Sequence, residues 1–271
     1  MTDTTSTRRQ AGELFPPGTF APRPQPARLV TMIAAQSALE LKLLLRNGEQ
    51  LLLTMFIPIT LLIGLCLLPV DTGLGSGTAE RAANFVPAIL TVAIMSTAFT
   101  GQAIAVGFDR RYGALKRLGA TPIPRWGIIA GKSIAVLAVV ILQSLILGAI
   151  GAAFGWRPSL LGLAIGAVII ALGTACFATL GLLLGGTLKA EIVLALANLL
   201  WFALVGIGSL TLVRSSIPDA VWWFARCTPS GALTEALDRA SHGGIDFFGV
   251  GILLVWAVVG ATLAVRWFRF E

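Results

Sequence analysis

The chain has 271 residues, of which 56% are hydrophobic and 12% charged, with a mean hydropathy of +0.86 and a net charge of +7. Soluble domains carry about a quarter charged residues, so the composition argues against a water-soluble globule, and too few charges remain for a basic nucleic-acid-binding face. Three scattered cysteines (Cys66, Cys176 and Cys227) and a single histidine, His242, argue against a disulfide framework and a multi-histidine metal site.

Residues 1–27 are polar and proline-rich, with Pro16, Pro17, Pro22, Pro24 and Pro26. They lack the apolar core of a signal peptide, and the composition predicts a disordered tail. Residues 28–47 have helical composition. On a helical wheel Val30, Ile33, Leu41, Leu44 and Leu45 gather on one side, with Arg28, Thr31, Lys42 and Arg46 opposite. This predicts a helix lying in the membrane interface, with a break at Asn47-Gly48.

Crossing a bilayer takes about 20 apolar residues in a helix. Six stretches qualify: 51–70, 84–107, 128–154, 160–186, 192–213 and 247–265. The expected fold is therefore an all-α, polytopic, single membrane domain over residues 28–271. Pro58 and Pro87 fall inside the first two spans and predict kinks. Lys132 lies one turn inside the third span, where it is expected to snorkel to the interface. Small-residue pairs recur in the third and fourth spans: Gly151 and Gly155, Gly162 and Gly166, Gly181 and Gly185. Such pairs allow close helix approach. The stretch 214–246 is too polar to span and too long for a turn. It predicts two short helices split near Pro229 and dipping into the outer leaflet.

With an even number of spans both termini lie on one side. Of the 20 basic residues, 15 then fall on that side, including Arg110, Arg111, Lys116, Arg117 and Arg125 between the second and third spans. The positive-inside rule makes that side the cytoplasm. Trp156, Trp222, Trp223 and Trp267 lie near span ends, as interfacial aromatics do.

The run Gly127 to Ser133, with Gly131-Lys132-Ser133, imitates a phosphate loop. Its glycine spacing is one residue short, and it opens a membrane helix instead of following a strand. No acidic residue lies inside the spans, which argues against a proton relay, and no nucleophile–base set is visible. Gln102, Gln143 and Asn198 are uncharged polar residues within spans and are candidates for a substrate route, or for interhelical hydrogen bonds.

The loop 108–127 carries the most specific signal. Residues 113–119 suit a short helix with basic residues outward and Leu115 and Leu118 on one face, stopped by Pro122 and Pro124. Such a helix suits a groove on a partner protein, or an anionic lipid surface. The run Arg111-Tyr112-Gly113-Ala114-Leu115-Lys116-Arg117-Leu118, then Ala120-Thr121-Pro122, Trp126 and Gly131-Lys132, resembles the loop of ABC-2-type ABC transporter permeases. The resemblance extends over about residues 28–269. It departs at Asp109-Arg110-Arg111, where relatives often show a more acidic run.

The resemblance implies six membrane helices and an interfacial N-terminal helix. It also implies re-entrant helices between spans five and six, and a cytoplasmic coupling helix that docks on a separate ATPase subunit. Arg111, Gly113, Leu115, Lys116, Arg117, Leu118 and Pro122 are the docking residues it implies. It further implies an exporter of hydrophobic or amphipathic molecules, paired with a second copy or a sister permease. ATP and Mg would be bound by the partner ATPase, with no cofactor and no catalytic residue in this chain. A stand-alone channel or facilitator, and less readily a membrane enzyme, are the rival expectations.

Overall fold

A computed structural model describes residues 27–67 and 77–268. The expected tail falls outside these residues except for its last position, as do residues 68–70 of the first expected span and Arg269. Every regular element among the described residues is helical.

Helix α1 runs Leu29–Arg46 and α2 runs Gly48–Leu67, so the chain breaks at Asn47 as its Asn-Gly pair predicts. The sides of α1 sort differently from the wheel. Gln36 and Ser37 are buried, with Ile33, Glu40, Leu41 and Leu44 partly covered beside them. Val30 and Leu45, expected with the apolar group, face outward together with Leu29, Leu39 and Leu43. The inner stripe of α1 is thus partly polar, and it packs along the third expected span.

Helix α3 (Thr78–Ile94) continues through a π-helical stretch, Met95–Gly101, into α4 (Gln102–Arg111). Together they form one rod, Thr78–Arg111, longer at both ends than the second expected span. Helix α5 is the six-residue Ala114–Gly119. Helix α6 (Arg125–Ala153) has 29 residues, about 43 Å at 1.5 Å per residue, which exceeds the hydrocarbon thickness of about 30 Å. Helix α7 (Leu160–Thr187) starts at Ser159, whose hydroxyl accepts the Gly162 amide at 3.0 Å. Helix α8 (Ala190–Ser209) tightens into a 3-10 turn, Leu210–Ser216. Helix α11 (Phe247–Trp267) closes the bundle against α7.

Five helices among the described residues are long and apolar enough to cross a membrane. They are Thr78–Arg111, Trp126–Ala153, Leu160–Thr187, Ala190–Arg214 and Phe247–Trp267. The first expected span is represented by a shorter apolar helix, Thr54–Leu67.

Helix α7 is the axis of the packing, in contact with α4, α6 and α11. Two glycines explain how closely. A Cβ at Gly181 would stand 2.7 Å from the Phe99 carbonyl oxygen, and one at Gly185 would collide with the Ala103 carbonyl oxygen. Gly181 and Gly185 therefore bring α7 onto the backbone of the π-helical rod. The pair Gly162 and Gly166 divides: Gly162 abuts the Ala240 carbonyl, whereas Gly166 faces open space.

The stretch between the last two long helices forms two short ones, α9 (Asp219–Cys227) and α10 (Pro229–Ser241). They are separated by Thr228, whose hydroxyl accepts the Gly231 amide at 3.2 Å. Pro229 then occupies the first turn, where its missing N–H costs nothing. Helix α10 is buried along most of its length, including Leu233, Ala236 and Leu237. Arg226 and Asp246 form a buried ion pair across this hairpin, and Arg239 Nη1 lies 3.5 Å from the other oxygen of Asp246. The Arg226 guanidinium also lies 4.9 Å from the ring centres of both Trp222 and Phe248. Trp222 is accordingly 2% exposed, a core residue instead of the interfacial one expected, whereas Trp223 and Trp267 are exposed.

Candidate functional site

The site is the α4–α5–α6 corner. Helix α4 stops at Arg111 because Gly113 adopts φ +70°, a left-handed conformation that L side chains rarely take. The Gly113 amide donates to the Arg110 carbonyl at 3.0 Å. Helix α5 follows at once. It ends where the Thr121 amide and hydroxyl both donate to the Leu118 carbonyl, at 3.0 and 2.6 Å. Pro124, in extended conformation, then opens α6.

The two faces of α5 are chemically distinct. Leu115 is fully buried in a small apolar cluster with Val106, Ile128, Leu182, Ala264 and Phe268. Leu118 packs beside it, partly covered. Lys116, Arg117 and Pro122 are exposed, as are Arg111 and Tyr112. Of the seven residues expected to dock a partner, Leu115 thus points into the chain's own interior, with Leu118 against it. The outward surface is basic. Arg111 pairs with Glu191 at 2.6 Å, but both side chains are more than half exposed, so the pair adds little stability. Arg110 instead turns inward. It donates to the Leu188 and Gly185 carbonyls at 2.9 and 3.2 Å, satisfying the C-terminus of α7.

Behind this corner lies a buried charge cluster. Lys132 of α6 is 5% exposed, so it does not snorkel to solvent as expected. Its Nζ lies 2.7 Å from Asp109 Oδ2 on α4 and 2.9 Å from Glu40 Oε1 on α1. Gln36 Nε2 donates to the same Glu40 oxygen at 2.8 Å. A Cβ at Gly131 would sit 2.7 Å from Gln36 Cγ. The Gly-Lys pair that imitates a phosphate loop is thus a helix-crossing point: glycine admits α1, and lysine ties it down. Asp109 and Glu40 are the residues that sequence reasoning missed. Glu40 is 92 positions from Lys132, and no local pattern announces the pairing.

The candidate route residues do not converge. Gln143 is buried and links three segments: Thr97 donates to its Oε1 at 2.9 Å, and its Nε2 donates to the Thr54 carbonyl at 3.2 Å. That is the interhelical hydrogen-bonding role. Gln102 is buried, and its Nε2 has no hydrogen-bond partner among the described residues. Asn198 is exposed on α8, its amide donating to the Leu194 carbonyl at 2.8 Å. None of the three lines the apolar crevice between α6 and α7. Among the described residues no His/Cys/Asp/Glu group could hold a metal ion.

Residues 68–266 match the family model described as ABC-2 family transporter protein. No curated protein matches the chain.

Proposed function

Because the chain belongs to the ABC-2 family of transporter proteins, and is thus a multi-pass membrane permease of an ABC transporter, we propose that it is the membrane half of an ATP-driven exporter in which α5 receives the ATPase. The observation that carries this reading is the two-faced α5. Leu115 anchors it in an apolar cluster to which four other helices contribute, while Lys116 and Arg117 face outward on a six-residue lever. A lever gripped this way moves α4 and α6 when it is pushed. The Lys132 cluster behind it passes the displacement to α1.

In this reading α5 and both termini are cytoplasmic, α1 lies in the inner interface, and α9–α10 re-enter the outer leaflet. A second copy or a sister permease completes the pathway. The cargo is hydrophobic or amphipathic, in keeping with walls that carry few charges.

The test is co-purification of the full chain with a candidate ATPase, wild type against Lys116→Glu plus Arg117→Glu. Both side chains are exposed, so the fold is expected to survive and ATPase recovery to fall at least tenfold. Undiminished recovery would remove α5 as the docking element and favour the unpowered channel.

A further inference from the structure

Between α6 and α7, in the half of the bundle away from α5, lies a crevice of about 690 Å³. That is within the range of sites for small organic ligands, about 300–1,000 Å³. Its walls are apolar: Leu137, Ile141 and Leu145 on α6, Gly166 and Ile170 on α7, with Leu237 of α10. From Leu137 to Ala152 the lining runs about 22 Å along α6 at 1.5 Å per residue. One leaflet of hydrocarbon is about 15 Å deep. Ile141 and Leu145 are substantially exposed, so the crevice opens sideways to where the bilayer lies. An unfilled apolar slot forfeits dispersion contacts along its whole lining.

At the far end stand Trp156 and Arg157. Arg157 Nη1 donates to the Ala152 and Trp156 carbonyls at 2.5 and 3.2 Å. The guanidinium makes no ion pair among the described residues. The remaining N–H groups of an exposed cation therefore stand beside an apolar slot long enough to span one leaflet. A guanidinium fork matches phosphate geometry.

We infer that this crevice holds an acyl chain of an anionic membrane phospholipid, with its phosphate at Arg157. The lipid also rests on α10 through Leu237, Ala240 and Ser241, so it braces the buried hairpin as well as filling a gap. The inference goes beyond the transport reading. It involves neither α5 nor an ATPase, so failure of either test leaves the other intact.

Two glycines make the test clean. A Cβ at Gly166 meets nothing within 4 Å, and Gly166 lines the slot, so Gly166→Leu is expected to place its side chain in the slot. Gly251 on α11 is equally open and does not line the crevice, so Gly251→Leu adds the same bulk elsewhere. The full chain is reconstituted in vesicles of equal parts phosphatidylglycerol and phosphatidylcholine, extracted, and weighed with its retained lipid by native mass spectrometry. Wild type is expected to retain one phospholipid per chain, with phosphatidylglycerol favoured about fivefold, the ratio expected of one basic residue at a lipid surface. Arg157→Gln should bring that ratio to about one, while Arg157→Lys keeps most of it. Gly166→Leu should lose the retained lipid, and Gly251→Leu should keep it.

The inference is overturned if Arg157→Gln keeps the preference, if Gly166→Leu keeps the lipid, or if Gly251→Leu loses it equally. Should Arg157→Gln not fold, the two glycine variants decide between a seated lipid and a loose annular one.

Discussion

Lys132, Glu40 and Asp109 place one positive and two negative charges behind the α5 corner. Removing the lysine leaves the largely covered Glu40 without its cation, while Asp109 is over a third exposed, so Lys132→Met is expected to cost about 1–3 kcal/mol, below the full penalty for orphaning a buried ion-pair partner. Denaturant unfolding in detergent reads the loss, and adding Glu40→Gln should recover part of it. Gln143 is as deeply buried but neutral, and Gln143→Leu should cost only about 1.2 kcal/mol, twice the mean of about 0.6 for a hydrogen bond between membrane helices, since it makes two. Charge, more than depth, decides which position matters. A third residue responds to pH. Burial, assisted by Glu235, pushes the Asp238 carboxyl above its ordinary 3.8, against the pull of His242 and Arg239. The folded chain then holds this proton more tightly than the unfolded chain. The contribution to stability is full below the ordinary value and declines as pH rises through the folded one. Asp238→Asn should flatten the dependence of Tm on pH above about 4.

Helix α5 shows what a short element takes from its surroundings. Six residues are too few to be helical alone. The helix persists because Gly113 sets its start and Leu115 is buried in an apolar cluster to which four other helices contribute. Leu115→Ala is expected to cost about 2–5 kcal/mol, and to expose residues 112–121 to protease before the spans come apart. At this scale the sequence was legible in part. The prolines and Gly113 marked the ends of α5, and its basic side was plain. Both leucines looked available to a partner, because a helical wheel shows which residues share a side and not which side is covered. The π-helical stretch Met95–Gly101 had no local signal at all. Its backbone at Ala98 and Phe99 is met by Gly181 of α7, a long-range contact that no local pattern announces.

At the scale of the whole molecule, the long apolar runs were the most readable feature, since bilayer thickness imposes a minimum length that few soluble helices meet. Their ends were read less well. The rod Thr78–Arg111 passes its expected limits because polar residues such as Glu80, Asp109 and Arg110 continue the helix beyond the apolar core. Labelling tests which side each end faces. In a chain carrying Cys227→Ser, a membrane-impermeant thiol reagent applied to intact cells should modify Arg157→Cys and leave Lys116→Cys untouched. The reverse pattern would invert the topology. Long-range pairs stayed invisible throughout, because Glu40–Lys132 and Arg226–Asp246 join residues that no periodicity relates.

The Arg226–Asp246 pair also orders events in time. The ribosome delivers the arginine twenty residues ahead of its counter-ion, within a hairpin whose second helix, α10, has almost no outward face. An unmatched guanidinium is poorly tolerated in hydrocarbon. If α9–α10 re-enter the outer leaflet as proposed, the hairpin is expected to wait at the membrane surface until the start of α11 emerges, and the two to enter together. On that reading α11 acts as a checkpoint for biogenesis: a chain truncated before Asp246 is expected to leave the α9–α10 hairpin unseated and open to quality-control proteases.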